Sequence, residues 1–253
     1  MYSSNLQSFT HTVMMVRPAC FGFNEDTAKD NAFQTNNLKI SPEEISKKAI
    51  DEFDLLVKKL QENNIVVEVV QDTKDIENPD AVFPNNWISF HEPDFIVTYP
   101  MFSVKRRRER RKSTIEFLKN SYIINKNYRY ENFESENEFL EGTGSMILDR
   151  EYRIAYACRS ERTNEHLFYK FCDDMEFSPF LFDAKDKDGI AIYHTNVMLC
   201  LGVNFVIICM DSITKEKDRI MLKDFFKATG KKIINVSLNQ MSQYAGNMIQ
   251  LKN

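Results

Sequence analysis

A motif that recurs at a near-constant interval constrains this chain more than any other feature. Four segments open with a small polar residue and continue as a strand-like apolar run: Asn86-Trp87-Ile88-Ser89-Phe90, Ser145-Met146-Ile147-Leu148, Asn196-Val197-Met198-Leu199 and Asn247-Met248-Ile249-Gln250-Leu251. Their first residues lie 59, 51 and 51 positions apart. A period near 50 residues marks a modular architecture, because one such unit cannot bury its own apolar face and must stack on its neighbours. The sequence ends at Asn253, just inside what reads as another unit, so the pattern predicts a module cut short or completed by another chain.

The unit is clearest from Gly144 onward. Ser145–Leu148 and Arg153–Cys158 read as strands, 164–175 as an amphipathic helix, and Phe177–Phe182 as a third strand. The order repeats with strands Asn196–Leu201 and Phe205–Met210, a helix from Thr214 to Ala228, and the strand Ile233–Val236, with Gly230 placed as a helix C-terminal glycine. An earlier copy runs from Asn86 through Phe95–Tyr99 into a basic helix over Lys105–Lys119. The first copy has strands at Val13–Val16 and Ile65–Val70, an Asn- and Asp-rich insertion, and a helix opened by the capping box Ser41-Pro42-Glu43-Glu44. Ile45, Ala49, Phe53, Leu56 and Leu60 form its apolar face. Strand, strand, helix, strand is thus the repeating order. Units of this kind close radially, with strand ends converging on a central site, and a ring short of one unit leaves sheet edges uncovered.

Composition narrows the class. Hydrophobic residues make up 43% of the chain, enough for one substantial core, and the net charge of −4 supplies no general attraction for nucleic acid or an anionic membrane. Five cysteines, an odd number without paired spacing, fit a reduced cytoplasmic protein better than a disulfide framework. Residues Met1–Thr12 are polar, unlike a signal peptide, and the apolar stretch Val197–Met210 is broken by Gly202 and Asn204, too short to span a bilayer.

The loops before the repeated strands carry the polar residues, and a ring would bring Asn86, Glu141, His194, Asn196 and Asn247 around one pocket. A histidine and a carboxylate there suit general acid–base work. His194 also reads as a satisfied structural histidine at a strand start, and Glu141-Gly142-Thr143-Gly144 as a plain turn.

Three motifs in order carry a resemblance: Leu140-Glu141-Gly142-Thr143-Gly144, Ser160-Glu161-Arg162-Thr163-Asn164 and His194-Thr195-Asn196. They resemble the guanidine-modifying superfamily of arginine deiminases, dimethylarginine hydrolases and amidinotransferases. Pro84-Asn85-Asn86-Trp87, the stretch from Tyr99 to Arg111 and the run Tyr193–Met198 are most similar to its citrulline utilization hydrolase branch. The resemblance covers nearly the whole chain. It implies one amidinotransferase-like domain over residues 1–253, a five-bladed α/β propeller of ββαβ modules (a pentein) with the fifth module truncated.

In that family a cysteine thiolate attacks the guanidinium or ureido carbon and a histidine protonates the departing amine, without metal or cofactor. Carried over by motif, His194 is the acid–base residue and Glu141 its carboxylate partner or a substrate anchor. Asn86 and Asn196 contact the planar substrate head, and Arg162 binds its carboxylate. Asn247 joins them from the ring geometry. The implied partner is a small citrulline- or arginine-like amino acid, with the incomplete edge open to self-association. An amide donates as well as accepts, so asparagines where relatives often carry aspartate favour a neutral ureido head over a cationic guanidinium.

The family nucleophile follows a glycine-rich loop near the C-terminus, and none of Cys20, Cys158, Cys172, Cys200 or Cys209 has that context. In an extended strand Cys200 stands roughly 20 Å from His194, too far for direct activation. This chain is therefore expected to be inactive alone; the alternative is a propeller that binds ligands or a partner without catalysis. The basic run Lys105-Arg106-Arg107-Arg108-Glu109-Arg110-Arg111-Lys112 reads as a helix start with a solvated face, not as a nucleic-acid patch.

Overall fold

A strand hairpin followed by a helix that returns the chain parallel to the second strand gives a three-stranded sheet with one helical face. The computed structural model describes residues 9–28 and 40–252, and three such modules lie in it. The chain divides into two compact units. Part of the Asn- and Asp-rich insertion and most of the polar N-terminus fall outside the described residues.

The unit Thr10–Asn132, with residues 251 and 252, begins with β1 (Thr12–Arg17), α1 (Pro42–Glu62) and β2 (Val66–Gln71). β1 and β2 pair in parallel, Thr12 against Val66 through Arg17 against Gln71. Ser41 caps α1 by accepting the Glu44 N–H at 3.2 Å, with Pro42 in the first turn. Phe53 is the buried anchor of the helix; Leu56 is exposed and Val57 turns inward instead, a one-residue shift of the expected stripe. The N–H of Lys252 donates to the Thr10 carbonyl at 3.0 Å, beside the start of β1.

β3 (Ile88–His91) and β4 (Phe95–Thr98) then form an antiparallel hairpin, and β5 (Lys126–Arg129) joins β4 in parallel. The expected basic helix is split into α2 (Val104–Arg107) and α3 (Lys112–Ser121). The break has a cause. Arg106 turns inward, 3% exposed, and its guanidinium grips buried Glu109 through Nε–Oε1 at 2.9 Å and Nη2–Oε2 at 3.0 Å. The chain tightens there and Arg111 becomes extended. The neighbouring arginines tie off carbonyls: Arg107 to Met101, Arg110 to Tyr99 and Arg111 to Gln71. Trp87, Ile88, Ile96, Met101 and Leu118 close over this module as its core.

The unit Phe133–Gln250, with Phe9, holds the other two modules. The first comprises α4 (Gly142–Ser145), β6 (Met146–Asp149), β7 (Ile154–Cys158), α5 (Glu165–Met175) and β8 (Ser178–Phe182), with strand order β6-β7-β8. The Asn164 side chain caps α5 at the Leu167 N–H, and Leu167, Phe168, Phe171 and Cys172 are fully buried beneath it. Each such aromatic contributes about 2–3 kcal/mol of burial. The second comprises β9 (Leu199–Leu201), β10 (Phe205–Ile208), α6 (Glu216–Ala228) and β11 (Lys232–Asn235), ending in α7 (Leu238–Met241). Gly230 has φ +69°, just past α6, as a C-terminal glycine requires. Lys231 and Asp149 form a buried ion pair at 3.3 Å that ties the two modules.

The polar residues that open the repeat are not strand residues. Asn86 ends a one-turn 3-10 helix (Pro84–Asn86), Ser145 ends α4, and Asn196 lies within a second 3-10 turn (Thr195–Val197). In these three segments the repeat registers turns that feed strands; the fourth, Asn247–Leu251, expected to open another module as a strand, forms none. No helix among the described residues is long and apolar enough to cross a membrane.

Candidate active site

Glu141, Arg162 and His194 come together in the unit Phe133–Gln250. They are almost wholly buried, at 0%, 2% and 5% exposure. Glu141 immediately precedes α4, whose Gly142 takes φ +46°, a conformation that suits a residue without Cβ. His194 is extended and precedes the 3-10 turn Thr195–Val197. Arg162 comes from the loop between β7 and α5, where Leu140 and Thr163 bridge.

His194 Nε2 lies 2.8 Å from Glu141 Oε2. An ionised carboxylate only accepts, so Nε2 carries the proton and donates. Arg162 Nη1 is 3.7 Å from the same oxygen, within ion-pair distance. The guanidinium also lies over the Tyr193 ring, 4.8 Å from its centroid, and that ring packs against the imidazole at 4.8 Å. A permanent cation thus faces the carboxylate and balances its charge in a dry setting.

Two hydroxyls brace the backbone beneath. Ser145 Oγ donates to the Arg162 carbonyl at 2.6 Å and accepts the Glu141 N–H at 3.0 Å. Thr195 Oγ1 donates to the Ser145 carbonyl at 2.6 Å and accepts the Cys158 N–H at 2.8 Å. Ser145 lies in the repeat and Thr195 in the histidine motif, yet nothing in the sequence marks their hydroxyls; both are local spacers until the fold brings their partners from 17 and 37 residues away.

The other expected residues sit as follows. Asn196 is half-buried in the turn after His194. Asn247 is exposed and donates its N–H to the Tyr244 carbonyl at 3.0 Å. Asn86, in the unit Thr10–Asn132, is buried, and its Oδ1 accepts from Arg106 Nη1 at 2.7 Å. Arg106 further donates to the Phe83 carbonyl and lies 3.9 Å from Asp80, which accepts from Asn24.

Four of the five cysteines are buried and not poised for attack; Cys20 is half-buried. Burial pushes the Cys158 thiol up to about 11 and the Cys172 thiol up to about 12, and burial also raises Cys200 and Cys209. Cys158 Sγ donates to the Ile192 carbonyl at 3.4 Å, and Thr195 Oγ1, whose proton goes to the Ser145 carbonyl, contacts that sulfur at 3.4 Å. Cys200 belongs to β9, opposite Ile207; because a turn separates it from His194, the extended-strand distance expected from sequence does not apply. Among the described residues no three His, Cys, Asp or Glu side chains are grouped to hold a metal ion.

The family model for eukaryotic N,N dimethylarginine dimethylhydrolase matches residues 17–253. Among solved structures, an arginine dihydrolase from the ornithine–ammonia cycle in cyanobacteria, ArgZ, superposes with a TM-score of 0.73 at 17% identity, over 95% of this chain and 33% of that one. AgrE in a binary complex with L-arginine gives 0.72 at 19% identity, again over 95% and 33%. Dimethylarginine dimethylaminohydrolase, as an adduct with S-methyl-L-thiocitrulline, gives 0.62 at 15% identity over 96% and 82%. The chain spans about a third of the length of the first two. At these identities the likeness is one of fold, a mixed α/β architecture of small sheets. No curated protein sequence matches.

Proposed function

The chain belongs to the N,N dimethylarginine dimethylhydrolase family, among the pentein guanidine-modifying enzymes, and from that premise we propose that it binds a citrulline- or arginine-like amino acid at the His194 site. Its ββαβ modules are read as blades of a five-bladed propeller, which three like sheets and the β1-α1-β2 unit support.

The buried His194–Glu141 contact at 2.8 Å carries the reading. A carboxylate that fixes the tautomer and orientation of an imidazole is the arrangement general acid–base work needs. With Nε2 committed to Glu141, Nδ1 is the ring nitrogen that, in a Cys–His mechanism, takes the proton of the attacking thiol and passes it to the departing amine. Arg162, 3.7 Å from Glu141, is the cation that receives the substrate carboxylate. Asn196 follows on the same turn and addresses the substrate head, as does Asn247. The nucleophile of a Cys–His mechanism is not Cys158, Cys172, Cys200 or Cys209, because burial holds all four protonated. That favours binding without turnover in the 253-residue chain.

Calorimetric titration with L-citrulline, L-arginine and N,N-dimethyl-L-arginine tests the proposal, alongside assays for released ammonia and dimethylamine. We expect binding, strongest for citrulline, that is lost in Glu141→Ala and His194→Ala. Binding of none of the three sinks the reading. Tighter binding of arginine than citrulline overturns the ureido preference, and turnover that survives Cys20→Ser overturns the exclusion of the four buried thiols.

A further inference from the structure

Thr195 follows His194 and has no exposed surface. Its hydroxyl forms its hydrogen bonds away from the imidazole: it donates to the Ser145 carbonyl at 2.6 Å, accepts the Cys158 N–H at 2.8 Å and contacts Cys158 Sγ at 3.4 Å. Ser145 begins the segment that enters β6, and Cys158 ends β7. One hydroxyl therefore fastens the turn that carries His194 to both strands of the neighbouring hairpin. Ser145 in turn clasps the backbones of Glu141 and Arg162.

The turn's own bonds, Val197 N–H to the His194 carbonyl and Met198 N–H to the Thr195 carbonyl, fix its shape but not its place. The buried slot offers one acceptor and one donor, so only a side chain that both donates and accepts satisfies it. We propose that Thr195 is a positioning residue whose hydroxyl sets the His194 imidazole on Glu141 by locking the turn to β6 and β7. The inference rests on the His194–Glu141 reading of the site and adds to it the group that holds the pair in register.

Proton NMR of the 253-residue chain, with 15N-labelled histidine, reads the His194 Nε2–H directly through its exchange with solvent. We expect a slowly exchanging proton in the wild type and in Thr195→Ser. Thr195→Val keeps the shape but neither donates nor accepts there, and should speed exchange by about tenfold or more. Amide protection of Ala155 in β7 should stay unchanged, which separates loss of position from general loosening. Should Thr195→Val fail to fold, Thr195→Cys supplies a weak donor and acceptor and should give an intermediate rate. Wild-type protection in Thr195→Val or Thr195→Cys overturns the proposal, as does failure of Thr195→Ser to restore it. The measurement needs no ligand, so a failure to bind any amino acid would count against the proposed function and leave this result standing.

Discussion

Replacing Arg106 by methionine tests whether the unit carrying Asn86 is organised around one guanidinium. Methionine keeps much of the length and apolar volume but removes the charge and every N–H donor. The change takes away the two bonds to Glu109 at 2.9 and 3.0 Å, the bond to Asn86 at 2.7 Å and the bond to the Phe83 carbonyl at 3.1 Å. It also removes the cation facing Glu109 and Asp80, which are 5% and 6% exposed. Removing one partner of a buried ion pair costs about 3–5 kcal/mol. Each acceptor stranded with it adds about 1–3 kcal/mol. Contributions within one network do not add, so we expect a loss of about 4–6 kcal/mol. Trp87, the single tryptophan, follows Asn86 and is 1% exposed, which makes its fluorescence a local probe. A urea titration should show a much lower midpoint with the slope kept. A loss below about 1 kcal/mol would refute the reasoning, because the guanidinium would then be replaceable by an apolar side chain.

Two further outcomes are expected. A Cβ at Gly246 would fall 2.5 Å from the Val197 carbonyl oxygen and 3.0 Å from the Met198 backbone, so Gly246→Ala should cost about 1–3 kcal/mol in thermal unfolding and shift the His194 signals; an unchanged midpoint would show that the turn has slack. Cys158 binds its proton more tightly folded than unfolded, so the folded state holds more protons between about pH 9 and 11 and stability falls as pH rises through that window, by about 3 kcal/mol in full. Urea midpoints at about pH 8 and 10.5 should therefore decline less in Cys158→Ala than in the wild type, and equal declines would remove the buried thiol as the cause.

The order of strands and helices was legible because local chemistry sets it. Ser41 and Asn164 mark helix starts, Gly230 marks a helix end, and apolar runs such as Phe205–Ile208 pair as expected. What failed was decided at a distance. The helix over 105–119 looked continuous because seven of eight residues in its basic run are Arg or Lys on any face; only the buried carboxylate of Glu109 breaks it. β5, read as Lys-Asn-Tyr-Arg, has no apolar alternation and becomes a strand because β4 offers an open edge. The repeat located Glu141 and His194, but their contact spans 53 residues and Arg162 meets Glu141 from a separate loop. The motif alone left Glu141 divided between histidine and substrate; the 2.8 Å contact gives the imidazole its partner.

The turns ahead of β3, β6 and β9 are each closed by their own backbone, through Asn86 N–H to Phe83, Gly144 N–H to Glu141 and Val197 N–H to His194. A residue at the lip of such a turn contributes little to holding the turn shut. Strand pairing therefore does not run through these lip side chains: Asn86, Glu141 and His194 spend their polar atoms on Arg106 and on one another, so a change at a lip is felt in that charge network before it is felt in the sheet beneath.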